Sequence, residues 1–147
     1  MSKTNAFETA WHSYVFADAD LAGIGDATGL LDDPTSPGTL QIALYTVDPT
    51  DSTPGTEIAT AQYTNYTRVD VARSTAGWTV SGNQVSNNAP ITFPISGGGT
   101  GCTATAVGIL ATAGYTLLYW KGLDASLPIT TGVTPQFLAN QLIITED

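Results

Sequence analysis

The chain has 147 residues, a length typical of one compact domain and sufficient to bury a core without a disulfide or a metal ion. Hydrophobic residues make up 42% of the sequence and charged residues only 12%, which argues against disorder. Thirteen acidic side chains against four basic ones give a formal net charge of −9 at pH 7. Because such a charge repels phosphate, we expect neither nucleic acid nor an anionic membrane as a partner.

The segment Asn5–Phe16 has the periodicity of an amphipathic helix. Its apolar residues recur at the spacing of one helix face: Phe7, Ala10, Trp11, Tyr14 and Val15. Asn5, followed three residues later by Glu8, predicts an N-cap with a capping box. The wide aromatic face must be covered, either by an open end of the same domain or by a neighbouring subunit. The sequence leaves both alternatives open.

The stretch from Asp18 to Thr39 is rich in Gly, Asp, Pro and Thr and predicts a loop. At about twenty residues it is longer than usual connections, and we expect it to lie along a partner. Its start partly matches a calcium-binding EF-hand, but Ala22 and Gly29 stand where the fifth and twelfth loop positions need oxygen ligands. We therefore expect solvated loop acids and no metal site.

After residue 39 the pattern becomes that of strands. Roughly eight short apolar or alternating runs, separated by turn signals, predict an all-β fold: an antiparallel, jelly-roll-like β-sandwich with one short N-terminal helix. We expect a single domain of residues 1–147. Residues 1–38 would form the helix and an extended loop arm, and residues 39–147 the sandwich core.

Three details of the strand pattern can be tested against a structure. Gly82-Asn83 predicts a type II′ turn in a hairpin. The apolar run Leu117–Trp120 predicts a central strand buried on both sides. We expect both Trp78 and Trp120 to lie in the core. The glycine-rich run Ser96–Gly101 predicts a flexible loop.

Side chains that carry out catalysis are scarce in this sequence. The only histidine, His12, lies in the predicted helix without a nucleophile motif, and we expect it at the surface or partly packed. Cys102 has few cationic neighbours and is expected to be inert and partly buried. One Cys and one His cannot form a zinc site, and the glycine-rich run lacks the residues of a phosphate-binding loop. We therefore expect no cofactor, no metal and no enzymatic activity.

Several stretches together resemble a family of small virion proteins of tailed bacteriophages, usually described as head decoration (cement) proteins or, loosely, as tail-fibre proteins. In chain order they are NAFETAWHSYVF, LQIALYTVDPTD, the Glu57 segment leading into YTNYTRVDV, GWTVSGNQVSNNAPITFP, VGILATAGYTLLYWKGL and FLANQLIITED. They cover most of Thr39 to Asp147. The long Asp/Gly loop before Leu40 and the SGGGTGCT loop depart from the family pattern, and we expect contacts specific to one particle there.

The resemblance implies a protein that is made in the host cytoplasm, binds the outer surface of a phage capsid and stabilises it. Its partner would be the major capsid protein, and a homotrimer is implied because decoration proteins usually sit at three-fold positions. The helix and the loop would reach the capsid through an interface formed by Phe7, Trp11, Tyr14, Leu30 and Leu31.

Two other functions remain open from the sequence. A tail-fibre or tail-tip module that binds a receptor or glycan would share the fold, with Tyr45, Tyr63 and Tyr66 as sugar platforms. A small polysaccharide depolymerase would need a pair of catalytic carboxylates, and no pair stands out in the sequence.

Overall fold

A computed structural model describes residues 4–26, 29–30, 38–111 and 117–145. Within them one helix is followed by twelve strands: α1 (Asn5–Phe16), β1 (Leu21–Asp26), β2 (Gly29–Leu30), β3 (Thr39–Val47), β4 (Thr56–Glu57), β5 (Val69–Ala72), β6 (Trp78–Ser81), β7 (Gln84–Asn87), β8 (Ile91–Thr92), β9 (Cys102–Ala111), β10 (Leu117–Ile129), β11 (Gln136–Phe137) and β12 (Ile143–Thr145). The antiparallel sheets and single helix confirm the predicted all-β class and are consistent with a sandwich-like fold.

The chain groups into two compact units. Unit 1 consists of Met1–Thr39, Ala72–Ile91 and Phe137–Asp147, and unit 2 consists of Leu40–Val71 and Thr92–Gln136. Unit 1 is thus assembled from three separate stretches of sequence. The expected single domain, divided after residue 38 into an arm and a core, stays a prediction.

The predicted helix of unit 1 is confirmed, but its N-terminal cap differs from the prediction. Thr4 has extended backbone angles (φ −87°, ψ 149°), and its hydroxyl accepts a hydrogen bond from the Phe7 amide at 3.4 Å. Asn5 is already the first helical residue, so the capping box predicted from Asn5 and Glu8 is wrong. A threonine one residue earlier supplies the same oxygen acceptor.

The buried face of α1 is also different from the apolar face of the sequence. Glu8, His12 and Phe16, spaced four residues apart, are buried, and the Phe16 ring meets Trp78 edge-on with centroids 5.0 Å apart. At ~100° per residue, this face is centred about 130° from that of Phe7, Trp11 and Tyr14. The prediction that His12 lies at the surface or is partly packed is therefore wrong, because packing against β6 and β7 selects the face that it occupies.

The strands of unit 1 form a three-stranded sheet in the order β12–β7–β6 and a separate β1–β2 pair. Gly82 has φ +62° whereas Asn83 has no positive φ, which fits the predicted type II′ turn between β6 and β7. The β1–β2 pair corrects the prediction of a loop from Asp18 to Thr39. The glycines of this stretch led to the prediction of a loop, but glycine also permits the antiparallel strand pairing seen there. Residues 27–28 and 31–37 of that stretch lie outside the described residues.

The main sheet of unit 2 has the order β10–β9–β3–β4, and β5 also pairs with β3. The central strands β3 and β9 are largely buried, whereas β10 is at the edge, with Leu118 and Trp120 each 40% exposed. The prediction of a central strand at Leu117–Trp120 is therefore wrong, as is the core position of Trp120. The core position of Trp78 is confirmed.

Hydrogen bonds hold the glycine-rich run of unit 2 in place. The Thr64 amide donates to Gly98 O at 2.9 Å, and the amides of Thr100 and Gly101 donate to Ala61 O and Gln62 O at 3.1 and 3.0 Å. The predicted flexible loop is thus a paired segment, because backbone groups far away in sequence supply its partners.

Candidate interaction surfaces

The described part of the chain offers no preformed metal centre. No group of three or more His, Cys, Asp or Glu side chains comes together there. Among the same residues, no helix combines the length and the apolar character that crossing a membrane requires.

Three of the five residues predicted for a protein interface lie together on α1. Phe7 is 36% exposed, Trp11 and Tyr14 are half-buried, and the Trp11 and Tyr14 rings stack with centroids 6.2 Å apart. We call these three residues the aromatic stripe. Leu30 ends the short strand β2, and Leu31 lies outside the described residues.

Arg73 fastens the C-terminal end of α1, next to the aromatic stripe. Its guanidinium donates to Tyr14 O at 2.6 Å and to Val15 O at 2.9 Å, and it pairs with Asp18 at 3.3 Å. The last carbonyls of a helix lack helical partners and carry the negative end of the helix dipole. An arginine there supplies hydrogen-bond donors to the carbonyls and a positive charge that offsets the dipole. Sequence reasoning missed Arg73 because the contact spans more than fifty residues.

We expect Arg73→Ala to reduce the free energy of unfolding by about 2 kcal/mol, because charge-assisted hydrogen bonds to the helix end are lost. Urea denaturation followed by tryptophan fluorescence measures the loss. Arg73→Lys keeps the charge but not the planar fork, and we expect it to lose about half as much. Wild-type stability in Arg73→Ala would show that α1 does not depend on this contact.

A second exposed apolar surface lies on β10 in unit 2. Trp120 pairs in register with Gly108, and Gly122 pairs with Ala106, so these residues share one face of the sheet. A Cβ added to Gly122 would lie 3.4 Å from Asp48 Oδ2, which places that carboxylate on the same face. We call Trp120, Gly122 and Asp48, together with the exposed Leu118 two residues before Trp120 on the same strand, the β10 surface.

Unit 2 also contains a network of polar side chains around Glu57. Arg68 donates to both Glu57 oxygens, at 2.9 and 2.7 Å, and to the Gln41 side chain at 3.1 Å. The Tyr66 hydroxyl donates to Glu57 at 2.9 Å and accepts from the Leu44 amide at 3.0 Å. These groups satisfy one another and tie β3 and β4 together, an arrangement that is structural in character.

The three tyrosines considered as sugar platforms are all buried, and that prediction is wrong. Tyr45 packs in a cluster with Ala43, Ala106 and Leu110. Tyr63 donates its hydroxyl to Pro94 O, and Tyr66 stacks on Phe93 with centroids 6.2 Å apart. Each ring is buried among apolar side chains, and the hydroxyls of Tyr63 and Tyr66 bond to groups inside the protein.

Burial also predicts how these tyrosines respond to alkali. Desolvation is the main cause that raises the pKa of Tyr45, Tyr63 and Tyr66 above the ordinary tyrosine value. Because the folded state holds the phenolic protons more tightly than the unfolded state, stability is unaffected at neutral pH and falls as the pH rises above about 10.

We expect Tyr66→Phe to lower stability at neutral pH by about 1–2 kcal/mol, because its hydrogen bonds to Leu44 and Glu57 disappear. The variant should also lose less further stability above pH ~10 than the wild type does. Urea denaturation across this pH range and tyrosinate absorbance measure both effects. Ionisation of all six tyrosines near pH 10 in the folded protein would contradict the assignment.

The described residues thus form antiparallel sheets and one helix, with exposed apolar side chains on the aromatic stripe and on the β10 surface. Residues 24–145 match a family described as Podophage GP4 fiber I protein gp80. The match covers more than half of the chain, so the chain belongs to this family and is a phage structural protein. Comparison with curated proteins gives no significant match. The family's description does not specify head decoration, so that narrower role is part of the proposal below.

Proposed function

We propose that the protein is a non-enzymatic subunit of the phage particle that binds another virion protein through aromatic side chains on its surface. The observation that carries this proposal is the exposure of aromatic rings on regular elements: Trp120 is 40% and Phe7 36% exposed, and Trp11 and Tyr14 lie half-buried beside Phe7. Tryptophan and tyrosine are enriched in protein interfaces and among the residues that dominate binding energy.

The state of the remaining reactive groups supports a function without catalysis. His12, the only histidine, is inside unit 1. Burial raises the pKa of the Cys102 thiol, so little of the nucleophilic thiolate forms at neutral pH. Glu57 is engaged with Arg68 and Tyr66. Neither Cys102 nor Glu57 has the environment that activates a nucleophile or a general base.

A capsid decoration protein is the first candidate for the position in the particle. The order of the sequence stretches that resemble decoration proteins supports it, and a net charge of −9 suits a protein that must not adhere to packaged DNA. In this role a homotrimer would place the aromatic stripe, with Leu30 and Leu31, against the major capsid protein on the capsid surface.

A fibre subunit is the second candidate, because the family is described as a fiber I protein. In this role the exposed surfaces would attach the chain to the tail or to another fibre chain. Recognition of a glycan would need residues other than Tyr45, Tyr63 and Tyr66, since all three are buried.

Counting copies in purified virions tests the proposal and separates the two positions. We expect the protein in every intact particle, and gel densitometry against the major capsid protein gives its number. Hundreds of copies, comparable to the capsid protein, indicate decoration, whereas a small multiple of the tail symmetry indicates a fibre. Absence of the protein from purified particles would refute the proposed function.

A further inference from the structure

The β10 surface is an exposed apolar site beside a closely packed part of the sheet. Trp120 lies opposite Gly108, and a Cβ at Gly108 would be 2.7 Å from Leu117 Cδ1 and 2.8 Å from Tyr45 Cε2. Because Gly108 has no side chain, the side chains of Leu117 and Tyr45 can pack over it, next to Trp120. Leu117 packs on the cluster that contains Tyr45, so the strand that carries Trp120 is held by packing beside this residue.

The free edge of β10 is poorly suited to pairing with another strand. Register shifts interrupt its ladder with β9 between Leu117 and Tyr119 and again between Gly122 and Leu127. Lys121 and Pro128 also lie on this strand, and bulges, lysines and prolines are the features that protect an edge from strand addition. A partner would therefore contact the side chains of the β10 surface.

The unit that carries the β10 surface has more acidic than basic side chains. Unit 2 contains five acidic and two basic side chains, and Glu57 is neutralised by Arg68. The Asp48 carboxylate lies beside Gly122, about 7 Å along the strand from Trp120 at the usual rise per residue. Asp124 is 94% exposed, and its pairing with Lys121 at 3.4 Å is a weak surface contact.

We infer that the β10 surface binds a virion protein whose contact surface carries basic side chains around an apolar centre. The inference rests on the proposed function and names the chemistry of the partner. A basic partner complements Asp48 and Asp124 while its apolar centre covers Leu118 and Trp120. A second copy docked through the same surface would bring Asp48 and Asp124 close to their own equivalents.

The test uses phage particles that carry Trp120→Ala. We expect the number of copies per purified particle to fall about tenfold or more, the size of a hot-spot loss. Ile95→Ala is the matched control, because Ile95 is 58% exposed in the same unit and lies outside the β10 surface. We expect it to leave the copy number unchanged. Circular dichroism of the isolated variants confirms that each one folds.

A charge variant gives an independent readout. Particles with Asp48→Asn should release the protein at a lower NaCl concentration than wild-type particles, because one attraction to the basic partner is lost. Asp51→Asn, an exposed acid in the neighbouring turn, serves as the control. The asparagine retains an oxygen that accepts the Thr105 hydroxyl, so the fold at this position is kept.

Three results would overturn the inference, and they can be told apart. Normal copy numbers for Trp120→Ala would show that the surface does not dock. A change from oligomer to monomer of the isolated protein upon Trp120→Ala, measured by sedimentation, would identify a second copy as the occupant. Absence of the wild-type protein from the particle would refute the proposed function itself.

Discussion

Gly99→Ala is expected to lower the free energy of unfolding by about 4 kcal/mol. Gly99 has φ +105°, and an added Cβ would lie 2.6 Å from Gln62 O and 2.8 Å from Ala61 O. The same two carbonyls accept hydrogen bonds from Gly101 and Thr100. The methyl group therefore adds backbone strain and displaces both acceptors, which together account for a loss of this size.

Gly132→Ala is the control that separates the steric clash of the added methyl group from the backbone strain at positive φ. Gly132 has φ +86°, but nothing lies within 4 Å of an added Cβ. We expect it to lose only about 1–2 kcal/mol, the cost of the unfavourable backbone region alone. Urea denaturation of both variants gives the comparison, and equal losses would contradict the packing described for the glycine-rich run.

Asn87→Ala is expected to cost about 3 kcal/mol, the second largest effect. The buried Asn87 side chain donates to Ala89 O at 2.8 Å and Leu138 O at 2.9 Å, and it accepts from the Leu142 amide at 2.9 Å. Its removal leaves the buried Leu142 amide and two partly buried carbonyls without these partners. Because two of these bonds hold residues 138–142, the C-terminal segment should become more sensitive to protease.

Asn88→Ala is the matched control for this prediction. Asn88 donates to Thr75 O at 2.7 Å in a more exposed setting, where water replaces a lost partner, and we expect a loss of about 1 kcal/mol. Asn87→Asp keeps the acceptor for Leu142 but loses both donors, so it should be about as unstable as Asn87→Ala. A loss below 1 kcal/mol in Asn87→Ala would contradict the account.

Local features of the fold were predictable from the sequence. The helix at Asn5–Phe16 follows from its apolar spacing, and the β6–β7 hairpin follows from Gly82-Asn83, because each signal acts within a few residues.

Features that depend on distant contacts were not predictable. The burial of His12 depends on which face of α1 meets Trp78, and the edge position of β10 depends on strand order. An apolar run such as Leu117–Trp120 has the same pattern in a central strand and at an exposed binding edge. Strand order is set by contacts that no local pattern contains.

The candidate site was predictable only in part. The aromatic residues of α1 were expected at an interface, and the structure leaves Phe7 exposed and Trp11 and Tyr14 half-buried. The β10 surface was missed because Trp120 was placed in the core. The available signal was a tryptophan on one strand facing a glycine, Gly108, on the next strand. This signal can be recognised only when the pairing register of the two strands is known.

Reconstruction of the intact virion by electron cryo-microscopy tests the central claim most directly. The account predicts density for this chain in the particle, with Trp120 and Leu118 covered by a basic surface of another virion protein. Density in which the β10 surface and the aromatic stripe both face solvent would contradict it, as would a complete virion from which the chain is missing.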